Sequence, residues 1–292
     1  MATMQTSLGV VSYTDEGSGP PIVLLHAALH DRTDFAPVTG ALEKGRRMLA
    51  LDWPGHGGSP LPSTPLRAVE FGDLLVEFAD RLDLSNTVIV GNSVGGYAAC
   101  RLALERPERV AGLVLVNNGG FTPHTVVTRF FCTVMGRPSV IKAVFPAFAR
   151  AYMRAKNPTD EAVVDRVVAR AKTDAGALTA AALWGSFTEP GHDLRTRAAA
   201  ISAPVLITWG AKDVTAPPRW GKAVQAAIPG SRFEALPTGH VVFASEPVAW
   251  LEAVLPFVDA AHGVRVERHS REVHFDTSQW PHPYGYRTKS GG

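Results

Sequence analysis

The sequence predicts an α/β fold: a mostly parallel, twisted sheet with helices on both faces and an α-helical cap inserted between two strands. Three observations carry this expectation. Short apolar, β-branched runs alternate with amphipathic helical stretches from about residue 21 to residue 116. The alternation then stops, and residues 121–200 hold helical patches without a convincing strand. It resumes near residue 204 and continues to about residue 260. A chain of 292 residues, 46% of them apolar, is long enough for one large domain with an inserted subdomain.

Taken in order, residues 8–14 (LGVVSYT) read as an edge strand, followed by a turn cluster over 15–20 (DEGSGP). Residues 21–25 (PIVLL) form a continuous apolar run, the pattern of a strand buried on both faces. Residues 31–42 read as a short helix and 47–51 as the next strand. That strand runs into the dense loop DWPGHGGS, where Asp52 and His56 are read as loop-holding residues rather than catalytic ones. Residues 66–82 form an amphipathic helix, with Val69, Leu74, Leu75, Phe78 and Leu82 on its apolar side. Residues 87–90 and 109–116 are further strands. In 121–200, prolines at 138, 146, 158 and 190 are expected to break the segment into short helices. Strands follow at 204–209 and 231–236, with helices at 219–228 and 246–260. The expected organisation is a core made of 1–120 and 201–262, a helical cap over 121–200, and a poorly ordered tail over 263–292. The histidines at 262, 269, 274 and 282 fit no ligand spacing, so no metal is expected there.

The stretch TVIVGNSVGGYAA (87–99) carries the chemistry. A β-branched run enters Gly91-Asn92-Ser93-Val94-Gly95 and leaves as a small-residue helix. A bare G-x-S-x-G also occurs in loops without catalytic use. Set between a strand and a helix it reads as a nucleophile elbow, which lifts Ser93 to the top of the sheet beside the helix N-terminus. A serine hydroxyl needs a base within hydrogen-bond reach, and the base needs an orienting carboxylate. Asp213 and His240 follow successive strands and so are expected at the same sheet end as Ser93. Val94 contributes a helix-initial N–H for a developing oxyanion.

The ordered stretches LLHAA, LDWPGHGGS, VGNSVGGYAA, ITWGAKDVTAPP and PTGHVVFASEP resemble the α/β-hydrolase family, in its cap-bearing branch, over roughly residues 8–260. The resemblance implies Ser93 as nucleophile, His240 as base, Asp213 as its orienting acid, and N–H groups of Ala27 and Val94 as the oxyanion hole. In some branches the acid follows the preceding strand, but Asn117 and Asn118 stand there. Related dehalogenases and epoxide hydrolases use an aspartate nucleophile, which Ser93 argues against. The motif GNSVGG also resembles hydrolases that cleave carbon–carbon bonds in ring-fission products. Those often carry Trp after the catalytic His, where Val241 stands here, and a glycine-rich oxyanion loop in place of His26-Ala27-Ala28-Leu29-His30.

Hydrolysis of an ester or lactone of a small, mainly apolar substrate is therefore expected first and carbon–carbon hydrolysis second. A third class is a binding protein that uses the pocket without turnover. Phe130, Met135, Phe148 and Trp184 are expected in the substrate pocket. No cofactor is expected. A net charge of +2 gives no reason to propose nucleic acid or an anionic membrane as partner. No apolar run approaches the length of a membrane span, and the first residues lack the features of a signal peptide. Cys100 and Cys132 form no ligand motif and are read as buried thiols, consistent with a cytoplasmic expectation.

Overall fold

The computed structural model describes residues 1–264, so nearly all of the expected tail lies outside the described residues. The strands are β1 (Ala2–Thr6), β2 (Gly9–Gly17), β3 (Pro21–Leu25), β4 (Arg47–Asp52), β5 (Thr87–Asn92), β6 (Val110–Val116), β7 (Val205–Gly210) and β8 (Arg232–Leu236). They form one eight-stranded sheet in the order β1-β2-β4-β3-β5-β6-β7-β8. β1 and β2 are antiparallel to their neighbours. Every pairing from β4 to β8 is parallel.

The helices are α1 (Ala36–Leu42), α2 (Ala68–Arg81), α3 (Val94–Glu105), α4 (Val126–Met135), α5 (Pro138–Met153), α6 (Pro158–Lys172), α7 (Asp174–Ser186), α8 (Pro218–Ala227), α9 (Val242–Ser245) and α10 (Pro247–Ala261). Two apolar layers sandwich the sheet. Phe71, Leu74, Leu75 and Phe78 of α2 and Val224 of α8 pack on one face. Val38 and Leu42 of α1 and Trp250, Val254 and Val258 of α10 pack on the other. The central strands are buried on both sides, which is why they read as unbroken apolar runs rather than alternating ones.

Three expectations need correcting. β1 was not foreseen, because ATMQT has no apolar run. β2 continues through Asp15-Glu16-Gly17, read above as a turn. Those residues pair with β4, and the Asp15 carboxylate receives two hydrogen bonds from the Arg47 guanidinium at 2.8 and 2.7 Å. Pro146 does not end a helix but sits inside α5. Buried Ile141, Phe145, Ala149, Tyr152 and Met153 hold the helix straight through, and the carbonyl Pro146 leaves unpaired belongs to exposed Lys142.

Helices α4–α7 lie between β6 and β7, where the alternation breaks. The insert is tied to the core through α6 and the loop after β3. Arg170 donates to the carbonyls of Leu29 (2.5 Å) and His30 (2.6 Å) and to the Asp31 carboxylate (2.8 Å). Arg166 donates to Asp34 at 2.8 Å.

Candidate active site

The turn between β5 and α3 forces Ser93 into the left-handed half of backbone space, φ 56° and ψ −118°. Such a conformation is costly for a residue with a Cβ and persists only where surrounding bonds over-determine it. Here the Ser93 N–H donates to Val116 O at 3.0 Å, and its carbonyl accepts from Gly119 N at 2.8 Å and Gly96 N at 3.0 Å. The glycines flanking it are sterically required. A Cβ on Gly91 would lie 2.5 Å from the Gly95 carbonyl oxygen, and one on Gly95 would lie 2.5 Å from that of Leu25. Asn92 spans from the elbow to the neighbouring loops, its amide donating to Val116 O (2.9 Å) and His240 O (3.2 Å).

Asp213 follows β7 and His240 follows β8, so parallel pairing brings both to the sheet end that carries Ser93. His240 Nδ1 donates to Asp213 Oδ2 at 2.5 Å. The same oxygen accepts from Asn117 Nδ2 at 2.7 Å. Oδ1 accepts from Thr215 N (2.8 Å), Thr215 Oγ1 (2.7 Å) and Ala216 N (3.2 Å). Burial opposes the charge on Asp213, but His240 and these donors outweigh it and hold the carboxyl below its ordinary range. Asn117 is itself fixed, its Oδ1 accepting from Gly210 N at 2.8 Å. In place of an acid after β6, then, stands an amide that serves the acid after β7. From the N-terminal side, the His240 N–H donates to Tyr152 O at 3.0 Å, anchoring the loop to the end of α5.

Ser93, His240, Ala27 and Val94 line one cavity of about 330 Å³. Val94 opens α3, where backbone N–H groups lack intrahelical acceptors. The insert supplies the facing wall, including Phe131, Phe145, Phe148 and Trp184. Of the four residues expected in the substrate pocket, Phe148 and Trp184 line this cavity and Phe130 and Met135 do not. On α4 the cavity side is Val127, Thr128, Phe131 and Cys132. Phe130, a hundred degrees round from Phe131, is 70% exposed, and Met135, a turn further along, is buried in the core. Among the lining residues there is no Lys, Arg, Asp or Glu.

The polar lining residues that escaped the sequence reading include His30, Tyr152 as a hydroxyl, and His192. Tyr152 OH and His30 Nε2 are 3.0 Å apart, and His30 Nδ1 is hydrogen-bonded to Asp34. Burial, with the charges of Asp34 and Asp213, pushes the Tyr152 phenol well above its usual value, so it stays neutral. His56 is not on the cavity. It is buried beside His26, ring centroids 5.2 Å apart, while Asp52 accepts from Arg32 N (2.8 Å) and Gly58 N (2.7 Å) and so holds its loop. Both thiols are buried and pushed up by that burial, Cys100 to about 12 and Cys132 to about 11. No helix among the described residues is long and apolar enough to cross a membrane.

Comparison with known proteins gives the family of the chain. The chain is 30% identical over 226 residues to haloalkane dehalogenase 2 of Mycobacterium tuberculosis, covering 73% of this chain and 78% of that protein. It is 29% identical over 233 residues to the 2-hydroxy-6-oxononadienedioate/2-hydroxy-6-oxononatrienedioate hydrolase of Cupriavidus pinatubonensis, covering 75% and 79%. Among solved structures, the enol-lactonase of Burkholderia xenovorans LB400 superposes with a TM-score of 0.75 at 25% identity, covering 88% of this chain and 99% of that one. The family model for the alpha/beta hydrolase fold matches residues 20–247, from the first parallel strand through the His240 loop, and the chain belongs to that family.

Proposed function

We propose that the protein is a serine hydrolase of carboxylic esters or lactones working through an acyl-enzyme. Ser93 Oγ attacks the carbonyl carbon while His240 Nε2 takes its proton. Asp213 holds His240 in the Nδ1–H tautomer and stabilises the imidazolium. The N–H groups of Ala27 and Val94 receive the oxyanion. His240 then gives its proton to the departing alkoxide, activates a water against the acyl-serine, and Ser93 is regenerated. On this reading α4–α7 act as a cap that excludes water from an apolar acyl site.

The observation that most supports the reading is the strained Ser93 on the same cavity as an imidazole whose Nδ1 is engaged by a satisfied carboxylate. A dehalogenase relative fits less well, since alkyl transfer calls for a carboxylate at the elbow. Carbon–carbon hydrolysis is the second reading, favoured by the likeness to the Cupriavidus hydrolase. The dioate named for that relative carries two carboxylates, and the lining here offers no Lys or Arg to meet one. The test is a panel of 4-nitrophenyl esters of graded acyl length and simple lactones, run beside a ring-fission dienone. Turnover of esters or lactones that Ser93→Ala loses by several orders of magnitude supports the proposal. Turnover of the dienone alone selects the second reading, and an undiminished Ser93→Ala rate removes Ser93 from the mechanism.

A further inference from the structure

Tyr152 sits in the last turn of α5 and is bonded on two sides. Its backbone carbonyl accepts from the His240 N–H at 3.0 Å. The chain just before His240 lies flat on this helix end. A Cβ on Gly239 would come 2.0 Å from the Met153 carbonyl oxygen and 2.4 Å from that of Tyr152. On the other side, the Tyr152 hydroxyl lies 3.0 Å from His30 Nε2, and His30 Nδ1 is hydrogen-bonded to the Asp34 carboxylate. A carboxylate only accepts, so Nδ1 carries a proton; in the neutral ring Nε2 then accepts and the phenol donates. Asp34 is held in turn by Arg166 at 2.8 Å. His30 belongs to the loop that presents Ala27, and its own N–H donates to Ala27 O at 3.2 Å. Tyr152 and His30 are 4% and 1% exposed, so the bond between them forms out of bulk water.

We propose that Tyr152 is a positioning residue: its hydroxyl on His30 and its carbonyl on the His240 N–H together fix the spacing between the Ala27 loop and the His240 loop. For its kinetic consequence this rests on the hydrolase reading above. The two loops leave β3 and β8, which the sheet separates by β5, β6 and β7. Strand pairing therefore sets their spacing only through three intervening strands of a twisted sheet. Tyr152 spans the same interval directly, at the sheet end. Ser93, at the end of the intervening β5, has to be met from both sides, by the Ala27 N–H and by His240 Nε2. Ground-state binding in an apolar cavity tolerates a small shift of either loop. Proton transfer and oxyanion binding do not, because both depend on hydrogen-bond geometry at the reacting atoms. Loss of the hydroxyl should accordingly fall on kcat rather than on KM.

Tyr152→Phe removes the hydroxyl and keeps the ring. His30→Asn breaks the same bond from the other end, since an Asn amide can replace Nδ1 toward Asp34 but does not reach Tyr152. Both single variants and the double variant are assayed for kcat and KM on 4-nitrophenyl hexanoate, with a thermal melt to verify folding. Each single variant is expected to lose about tenfold or more in kcat, with KM changed by less than about twofold. The double variant should lose no more than the worse single one, because one bond is broken in all three. Hydrogen exchange read by NMR supplies a measure free of turnover. In Tyr152→Phe the His240 amide should quicken by about tenfold more than the Val90 amide of β5, which follows overall stability, although the Tyr152 carbonyl is still present. Equal quickening at the two amides overturns the proposal, as does an undiminished kcat, a fall confined to KM, or losses that multiply in the double variant. Should Tyr152→Phe not fold, His30→Asn carries the same comparison. Selective quickening at His240 without ester turnover by the unaltered protein leaves the positioning role standing and defeats the hydrolase reading instead.

Discussion

Asp213→Asn has a consequence that the hydrogen bonds around the carboxylate dictate. Oδ1 accepts from the backbone N–H groups of Thr215 and Ala216, which cannot turn into acceptors. The carboxamide must keep its oxygen there and put its NH2 where Oδ2 stands, 2.5 Å from His240 Nδ1 and 2.7 Å from the Asn117 amide nitrogen. His240 Nδ1 then has to accept, so the ring proton moves to Nε2, the atom that should take the proton of Ser93. A histidine fixed in the wrong tautomer costs about ten-thousandfold in kcat in serine hydrolysis, or about 5 kcal/mol of barrier. The assay is kcat on a 4-nitrophenyl ester, with the melting temperature followed in parallel. Nitrogen chemical shifts of the His240 ring report the tautomer directly. A loss of less than about tenfold, or an unchanged tautomer in the folded variant, would refute the assignment of Asp213 as the orienting acid.

Gly95→Ala is expected to cost about 3 kcal/mol or more, because its methyl group meets the Leu25 backbone at 2.5 Å and neither partner is a flexible side chain; chemical denaturation followed by circular dichroism measures it, and a near-native midpoint would contradict the close packing. Phe148→Ala should shift the ratio of long- to short-chain ester rates, whereas Phe130→Ala, on an exposed side chain, should leave that ratio alone; equal effects would mean that the ratio does not report the cavity wall. Buried His192, near 4 when folded and about 6.5 when unfolded, makes no demand above pH 6.5 and withdraws stability as pH falls from 6.5 toward 4, by at most about 1.4 kcal/mol per pH unit. His192→Phe should flatten that slope, with buried His26 and His56, both also depressed by burial, keeping part of it; an unaltered slope would show that His192 titrates as if it were in water.

The parts of the site that could be read from sequence are those whose chemistry is pinned to a strand end. Gly91 to Gly95 announces its turn by residue type, and Asp213 and His240 share an end because parallel strands deliver their loops to one side. The edge was less legible. β1 carries alternating small and polar residues, and its strand form comes from pairing with β2 rather than from its own pattern. The insert was legible as helices but not as faces. A patch such as Val126-Val127-Phe130-Phe131 has more apolar side chains than one face can hold, so only packing decides that Phe131 looks inward and Phe130 outward. His192 had no signal at all. It follows a Pro-Gly turn outside any periodic stretch, and its place on the cavity comes from packing on Tyr97, distant in sequence.

The two arginines of α6 bear on how the molecule can be rebuilt. Arg170 grips the carbonyls of Leu29 and His30, only two and three residues beyond Ala27, and Arg166 grips Asp34. The loop that presents Ala27 therefore takes its shape partly from a segment more than a hundred residues away. A chimera that imports helices from another member of the family as a cassette would remove those guanidiniums and leave Asp31 and Asp34 without them. Such grafts should begin by carrying Arg166 and Arg170 across with the foreign helices, or by exchanging residues 27–34 together with them, so that lock and keeper travel as one part.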